Sequence, residues 1–365
     1  MKRRVFIQKL AATVSVFSIV PSRVLGFSGV APNDKIQLGF IGVGKQGRGL
    51  MTNFVNYDAV AVTAVSDVDV DKMSLFSEAF SNALAKKKKP LQKLSEMASY
   101  RELLSRKDID AVVIASPDHW HAQMAVDAAK AEKDIYCEKP LSASVAEGRA
   151  MVDAARKYQR VFQTGSMQRS WDQFRHGVEL IRNGYIGEIK EIKVAIGAPY
   201  KSCDLPTQAA PANIDWNAWI GPAPYRGYHK DLACPIGDKR WGMWRDYYPF
   251  GGGMVTDWGA HMFDIVQWAL DQDHTGPVQF TPPSSPSESG LVYTYENGIK
   301  VTHTKWGENN NEIQFIGTEG RLEISRGYLK TYPDASLADK PIETPNAKRV
   351  YHSKNHHEDW LQAIR

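Results

Sequence analysis

Asp257 and His261 stand four residues apart in the stretch from Gly253 to Leu270, where Met262, Val266, Ala269 and Leu270 recur with a helical period. A helix there places the carboxylate and the imidazole on one face, with Asp264 and Trp268 beside them. An aspartate one turn before a histidine can orient the ring and stabilise its cationic form, which is acid–base chemistry. The same spacing also describes a plain surface ion pair. The run Gly251-Gly252-Gly253 ahead of it lets backbone come close to a ligand. A third ionisable group, Lys139, follows the strand-like run Ile135-Tyr136-Cys137 between Glu138 and Pro140.

A second constellation is built for phosphate. The apolar run Ile36 to Ile41 leads directly into Gly42-Val43-Gly44-Lys45-Gln46-Gly47, and a helix-like stretch follows from Arg48. GxGxxG alone is a weak signal, but between a strand and a helix it is a dinucleotide fingerprint. Gly42 allows the tight turn, Gly44 the close approach of pyrophosphate, and Gly47 the packing of helix on strand. The next strand, Val60 to Val65, ends at Asp67, where a carboxylate accepts the ribose hydroxyls and repels a 2′-phosphate. No arginine follows Asp67 closely, so NAD is expected over NADP.

These groups need a frame. Helix-like Met73 to Leu84, a helix from Ser99 to Ser105 and the strand Ala111 to Ala115 continue the βα rhythm. The loop Ser116-Pro117-Asp118-His119-Trp120-His121 then precedes a helix over 122–131. Parallel sheets bind ligands beyond the C-terminal ends of their strands, so this loop is expected beside the cofactor. Further along, Ile189 to Ile196, Leu291 to Tyr295, Lys300 to Trp306, Glu312 to Ile316 and Arg321 to Ile324 read as strands. Several alternate, which predicts an open, largely antiparallel sheet.

Composition bounds the rest. A chain of 365 residues exceeds one ordinary core, so two domains are expected. With 43% apolar and 24% charged residues the chain is globular, and a net charge of +4 excludes nucleic acid as an evident partner. The basic run Lys86 to Lys89 reads as a solvated loop. Three cysteines without metal spacing argue against a zinc site, and a Cys203–Cys234 bridge is left open. Residues 1–33 read as an address: Arg3-Arg4 before Val5-Phe6-Ile7 and a short apolar run to Val20 match a twin-arginine export signal. A periplasmic, soluble mature chain is expected. That apolar run is about half the roughly 20 residues that span a bilayer, which leaves an uncleaved membrane tether as the alternative.

Taken together, the glycine loop, Ser116 to His121, Glu138-Lys139-Pro140 and Gly251 to Asp264 resemble the Gfo/Idh/MocA oxidoreductase family, from about Lys35 onward. The resemblance implies a Rossmann domain with a doubly wound parallel sheet over 34–160. An α+β substrate and oligomerisation domain with a large antiparallel sheet would occupy 161–365. It implies catalysis by Lys139, Asp257 and His261, with hydride passing between a secondary hydroxyl of a sugar and NAD; the export signal adds that this NAD is tightly bound, since free NAD is scarce outside the cytoplasm. Cofactor contacts are expected from Gly42, Gly44, Lys45, Gln46, Gly47, Asp67, Ser116, Pro117, Asp118, His121, Glu138 and Lys139, and sugar contacts from Arg169, Trp244 and Arg245. A homo-oligomer is implied as well. Two other functions stand beside this one: glycoside cleavage through a transient 3-keto sugar, and cofactor or sugar binding without catalysis. The chain stops at Arg365 inside a helix-like run, whereas the family continues, so it reads as one cut short.

Overall fold

The computed structural model describes residues 34–284, 289–306, 311–343 and 345–365. The predicted export segment, residues 1–33, lies outside them. The first half alternates strand and helix: β1 (Ile36–Ile41), α1 (Lys45–Phe54), β2 (Val60–Ser66), α2 (Val70–Lys86), β3 (Ser95–Met97), α3 (Tyr100–Ser105), β4 (Ala111–Ile114), α4 (Asp118–Lys130), β5 (Asp134–Cys137), α5 (Val145–Lys157) and β6 (Phe162–Thr164). The six strands form one parallel sheet in the order β3-β2-β1-β4-β5-β6. Its strands are apolar on both faces because both are covered: all four residues of β4 are fully buried. Leu38, Phe40, Val62 and Val113 pack one side, and Ile41, Ala64, Val112 and Ile114 the other.

The second half opens with α6 (Asp172–Arg182), β7 (Ile189–Ala195), the short β8 (Lys201–Ser202), α7 (Trp216–Ile220), the short β9 (Tyr247–Tyr248), α8 (Gly253–Asp257) and α9 (Gly259–Ala269). It continues with β10 (Gln279–Thr281), β11 (Val292–Thr294), β12 (Lys300–His303), β13 (Glu312–Gly317), β14 (Arg321–Ser325), β15 (Tyr328–Tyr332) and α10 (His356–Ile364). Seven of its strands make a sheet in the order β10-β11-β12-β7-β13-β14-β15, antiparallel throughout except for the β12–β7 pair. Register sorts its faces. Val194, Ile313 and Ile324 align across strands and meet α6 and α9, while Lys193, Gln314, Glu323 and Lys330 align on the opposite face, which is helix-free among the described residues.

α10 does not stay with this sheet. Its Trp360 and Leu361 join the core of the first sheet, where the Trp360 ring meets Phe54 at 5.6 Å and Tyr136 at 5.7 Å. Asn355 caps it, accepting from the His357 and Glu358 N–H groups. Among the described residues no helix is long and apolar enough to cross a membrane. Cys137, Cys203 and Cys234 are all free thiols, so the bridge left open by the sequence is not made here.

Candidate functional site

The strand order reverses between β1 and β4, the place where such sheets bind ligands. A cleft of about 480 Å³ opens there, lined by Gly42, Gly44, Gln46, Asp67, Ser116 and Pro117 among others. Gly42 has φ +81°, and a Cβ on it would lie 2.5 Å from the Ser116 nitrogen. A Cβ on Gly47 would lie 2.4 Å from the Gly42 carbonyl oxygen. Gly44 has nothing within 4 Å of its Cβ position, and as the residue capping α1 it supplies no side chain to the first N–H groups. The buried Ser116 hydroxyl in the same wall has no hydrogen-bond partner among the described residues. Uncapped helix donors, open room at Gly44 and an orphaned hydroxyl fit a dinucleotide phosphate.

Asp67 sits further along. Its carboxylate accepts from the Val43 N–H at 2.8 Å and the Asp69 N–H at 3.0 Å. Burial pushes this carboxyl up, opposed by Lys72 and by those two donors. Arg48 and Lys72 line the same cleft, so the cations that spacing did not place after Asp67 arrive from α1 and α2. The facing wall is residues 232–245 of the second half. The Lys45 ammonium donates to the Arg240 carbonyl and lies 6.0 Å from the Trp241 ring, so it fastens that wall to the glycine loop. Gln46 turns inward instead, donating to Glu138 at 2.8 Å.

Beside the Arg245 part of that wall the two halves meet through charge. Lys139, at the end of β5, donates to the Asp257 carboxylate at 2.7 Å and to the Asp257 carbonyl at 3.0 Å. Arg245 donates to the same carboxylate oxygen at 3.2 Å and also lines the cleft, so it belongs to both. Although burial opposes it, the two cations hold the Asp257 carboxyl below its usual range. Burial, with Lys139 and Arg326 nearby, pushes His261 down to about 3, so its imidazole is neutral. Its Nδ1 is buried without a partner among the described residues. Asp118 is displaced the other way: burial raises its carboxyl to about 8, against the pull of Arg245.

Several expectations need correction. Residues 118–121 are not a loop: they form the first turn of α4, because Pro117 takes the position before the helix. The helix carrying Asp257 and His261 is broken at Trp258 into α8 and α9, and Asp257 makes no hydrogen bond to His261. Its carboxylate turns to Lys139 and Arg245, which outbid a neutral imidazole. His121 is not presented to the cleft. Its ring nitrogens lie 2.7 Å from the Pro140 carbonyl and 2.9 Å from the Ser116 carbonyl, pinning one strand-end loop to the next. Arg169 is not an open sugar-binding cation either. It makes paired hydrogen bonds to Asp264 at 2.7 and 2.8 Å and to Asp273 at 2.8 and 2.9 Å. Trp244 lines the cleft, but at 8% exposure it lies beneath the Arg245 guanidinium, 4.2 Å away, and supports that cation.

Sequence reasoning placed Trp244 and Arg245 at the site but missed Arg48, Lys72, the stretch 232–238 of the facing wall and Arg326. None of those missed carries a signal in spacing, since each reaches the site by tertiary folding alone.

Residues 36–166 match the oxidoreductase family GFO_IDH_MocA, described by its NAD-binding Rossmann fold, and residues 199–358 match the family's C-terminal alpha/beta domain. An uncharacterized oxidoreductase, YrbE of Bacillus subtilis, is 30% identical over 301 residues, covering 80% of this chain and 71% of that protein. The chain belongs to the Gfo/Idh/MocA oxidoreductase family. A glycosyl hydrolase family 109 protein of Shewanella pealeana is 32% identical over 153 residues, 42% of this chain and 31% of that one. Among solved structures, the WlbA dehydrogenase of Bordetella pertussis, in complex with NADH and UDP-GlcNAcA, is similar in fold, with a TM-score of 0.53 and 18% identity over 79% of this chain and 77% of that one.

Proposed function

We propose that the protein oxidises a secondary hydroxyl of a sugar, or reduces the matching ketone, with a nicotinamide cofactor held tightly in the cleft. The observation that carries this is the Lys139–Asp257 contact at 2.7 Å, which sets a strand-end cation of the cofactor domain against a carboxylate of the second domain. When bound, the nicotinamide would accept or return the hydride of the carbinol carbon. The protein would handle the proton. Lys139, oriented by Asp257, would donate to the sugar oxygen and stabilise its developing negative charge. His261 would enter neutral and take the hydroxyl proton. Gly42, Gly44, Gly47 and Ser116 would hold the diphosphate, Asp67 the adenosine ribose, and Glu138 the nicotinamide ribose.

Asp67 favours NAD over NADP, since its carboxylate would meet a 2′-phosphate. Titration of the apoprotein with each nucleotide tests this, and Asp67→Ser should narrow the difference. Refilled protein mixed with a sugar panel should develop the near-ultraviolet absorbance of reduced nicotinamide. No change with any sugar would return the chain to a binding role.

The Shewanella relatives favour a second reading, cleavage of a glycoside through a transient 3-keto sugar. Monosaccharide release from glycosides without accumulation of reduced cofactor would establish it over net oxidation. Export by the twin-arginine route to the periplasm belongs to the same proposal, and a fusion of residues 1–33 to a reporter tests it. Self-association through the helix-free face of the seven-stranded sheet completes it, read by light scattering.

A further inference from the structure

Arg326 stands at the turn between β14 and β15, and its guanidinium has no carboxylate partner among the described residues. The flat fork lies 4.4 Å from the Trp258 ring and 5.3 Å from the Trp171 ring. Its Nε donates to Gln168 at 2.9 Å, and Gln168 is itself buried. No other hydrogen bond is made by Arg326 among the described residues. The Trp258 indole is shared: His261 sits against it at 5.7 Å, so the arginine and the neutral imidazole flank one ring. Burial draws the guanidinium down while Asp257 and Glu138, nearby but not in contact, hold it up.

A half-buried cation without an anion is costly, and proteins normally answer it with a carboxylate. Among the described residues, the two carboxylates whose charge reaches it are engaged elsewhere. Asp257 serves Lys139 and Arg245, and Glu138 accepts from Gln46. The ring contacts and Gln168 fix the fork while leaving its two Nη groups undirected to protein. A planar, fixed guanidinium pair of donors matches a carboxylate in a two-point contact. We infer that Arg326 is the anchor for an anionic group of the substrate, and that the sugar is a carboxylated one, a uronate or aldonate rather than a neutral hexose. This rests on the sugar-oxidising reading above.

The test uses the full chain refilled with NAD and compares glucuronate and galacturonate with glucose and galactose. Binding is followed by tryptophan fluorescence and turnover by reduced-cofactor absorbance. A hydrogen-bonded charge contact of this kind predicts binding of the acid sugar about 10- to 100-fold tighter than of its neutral parent. Arg326→Leu should erase that difference while leaving neutral-sugar binding and NAD affinity in place. Arg326→Lys, which keeps charge but loses the fork, should recover part of it. Equal affinity for acid and neutral sugars in the native protein overturns the inference, as does an Arg326→Leu variant that loses both alike. If no sugar is oxidised yet the acid sugar binds in an Arg326-dependent way, the anion site stands and the dehydrogenase reading falls.

Discussion

His261 and Asp118 depart from their ordinary ionisation in opposite directions, and each departure has a kinetic signature. With His261 pushed down to about 3, the pH profile of kcat/KM should lack a histidine ionisation near 6.5. A limb near pH 8 that disappears in Asp118→Asn is the expected mark of the buried carboxyl raised to about 8. Lys139→Ala and His261→Ala should each keep cofactor affinity and lose turnover by about 100- to 10,000-fold, measured as single-turnover reduction of bound NAD. At this scale the sequence was legible in part. Glycine and lysine positions were readable because each belongs to a strand end, which fixes where the side chain goes. The Asp257–Lys139 contact spans 118 residues of chain, and no period encodes a partner that distant. Helical spacing even misdirected the eye toward His261, since it reports which residues share a face and not which neighbour offers more charge.

At the scale of elements, the strand–loop–helix at β1 and α1 separates folding from binding. Gly44→Ala adds a methyl to open space in a backbone with φ −62°, so the melting temperature should hold while cofactor affinity falls at least about 10-fold. Gly47→Ala drives its methyl to within 2.4 Å of the Gly42 carbonyl and should lower both, which thermal melts with and without NAD would read. Long apolar or alternating strands such as β1, β7 and β13 could be read directly. β3, β6 and β10 have three residues each, too few to display a period, and β15 mixes Tyr328, Leu329, Lys330, Thr331 and Tyr332 without a clean alternation. The parallel pairing of β12 with β7 was equally invisible, because it joins segments about a hundred residues apart in an otherwise antiparallel sheet.

Across the whole molecule, buried neutral histidines tie stability to pH. His119, His121 and His356 are held at about 4 and His261 at about 3, in each case chiefly by burial, against 6.5 for an exposed ring. Above pH 6.5 neither folded nor unfolded rings carry the proton, so they leave stability unchanged. As pH falls from 6.5 toward 4 the unfolded chain binds protons that the folded one refuses, and stability is lost through that window. Asp118 works in the opposite sense, costing stability as pH rises from 3.8 toward 8. Melting temperatures measured between pH 7 and 4 should therefore fall steeply, and His119→Gln should soften the fall. Trp360→Ala, which empties a fully buried site, should cost about 3–5 kcal/mol in denaturant titrations. That helix has one more consequence, which concerns the order in which the chain is made. The sheet it covers is finished at Thr164, but Trp360 leaves the ribosome only after the intervening stretch 165–359 has been translated. Until then the place of the Trp360 ring against Phe54 and Tyr136 is unfilled, so the first sheet is the earlier made and the later completed of the two.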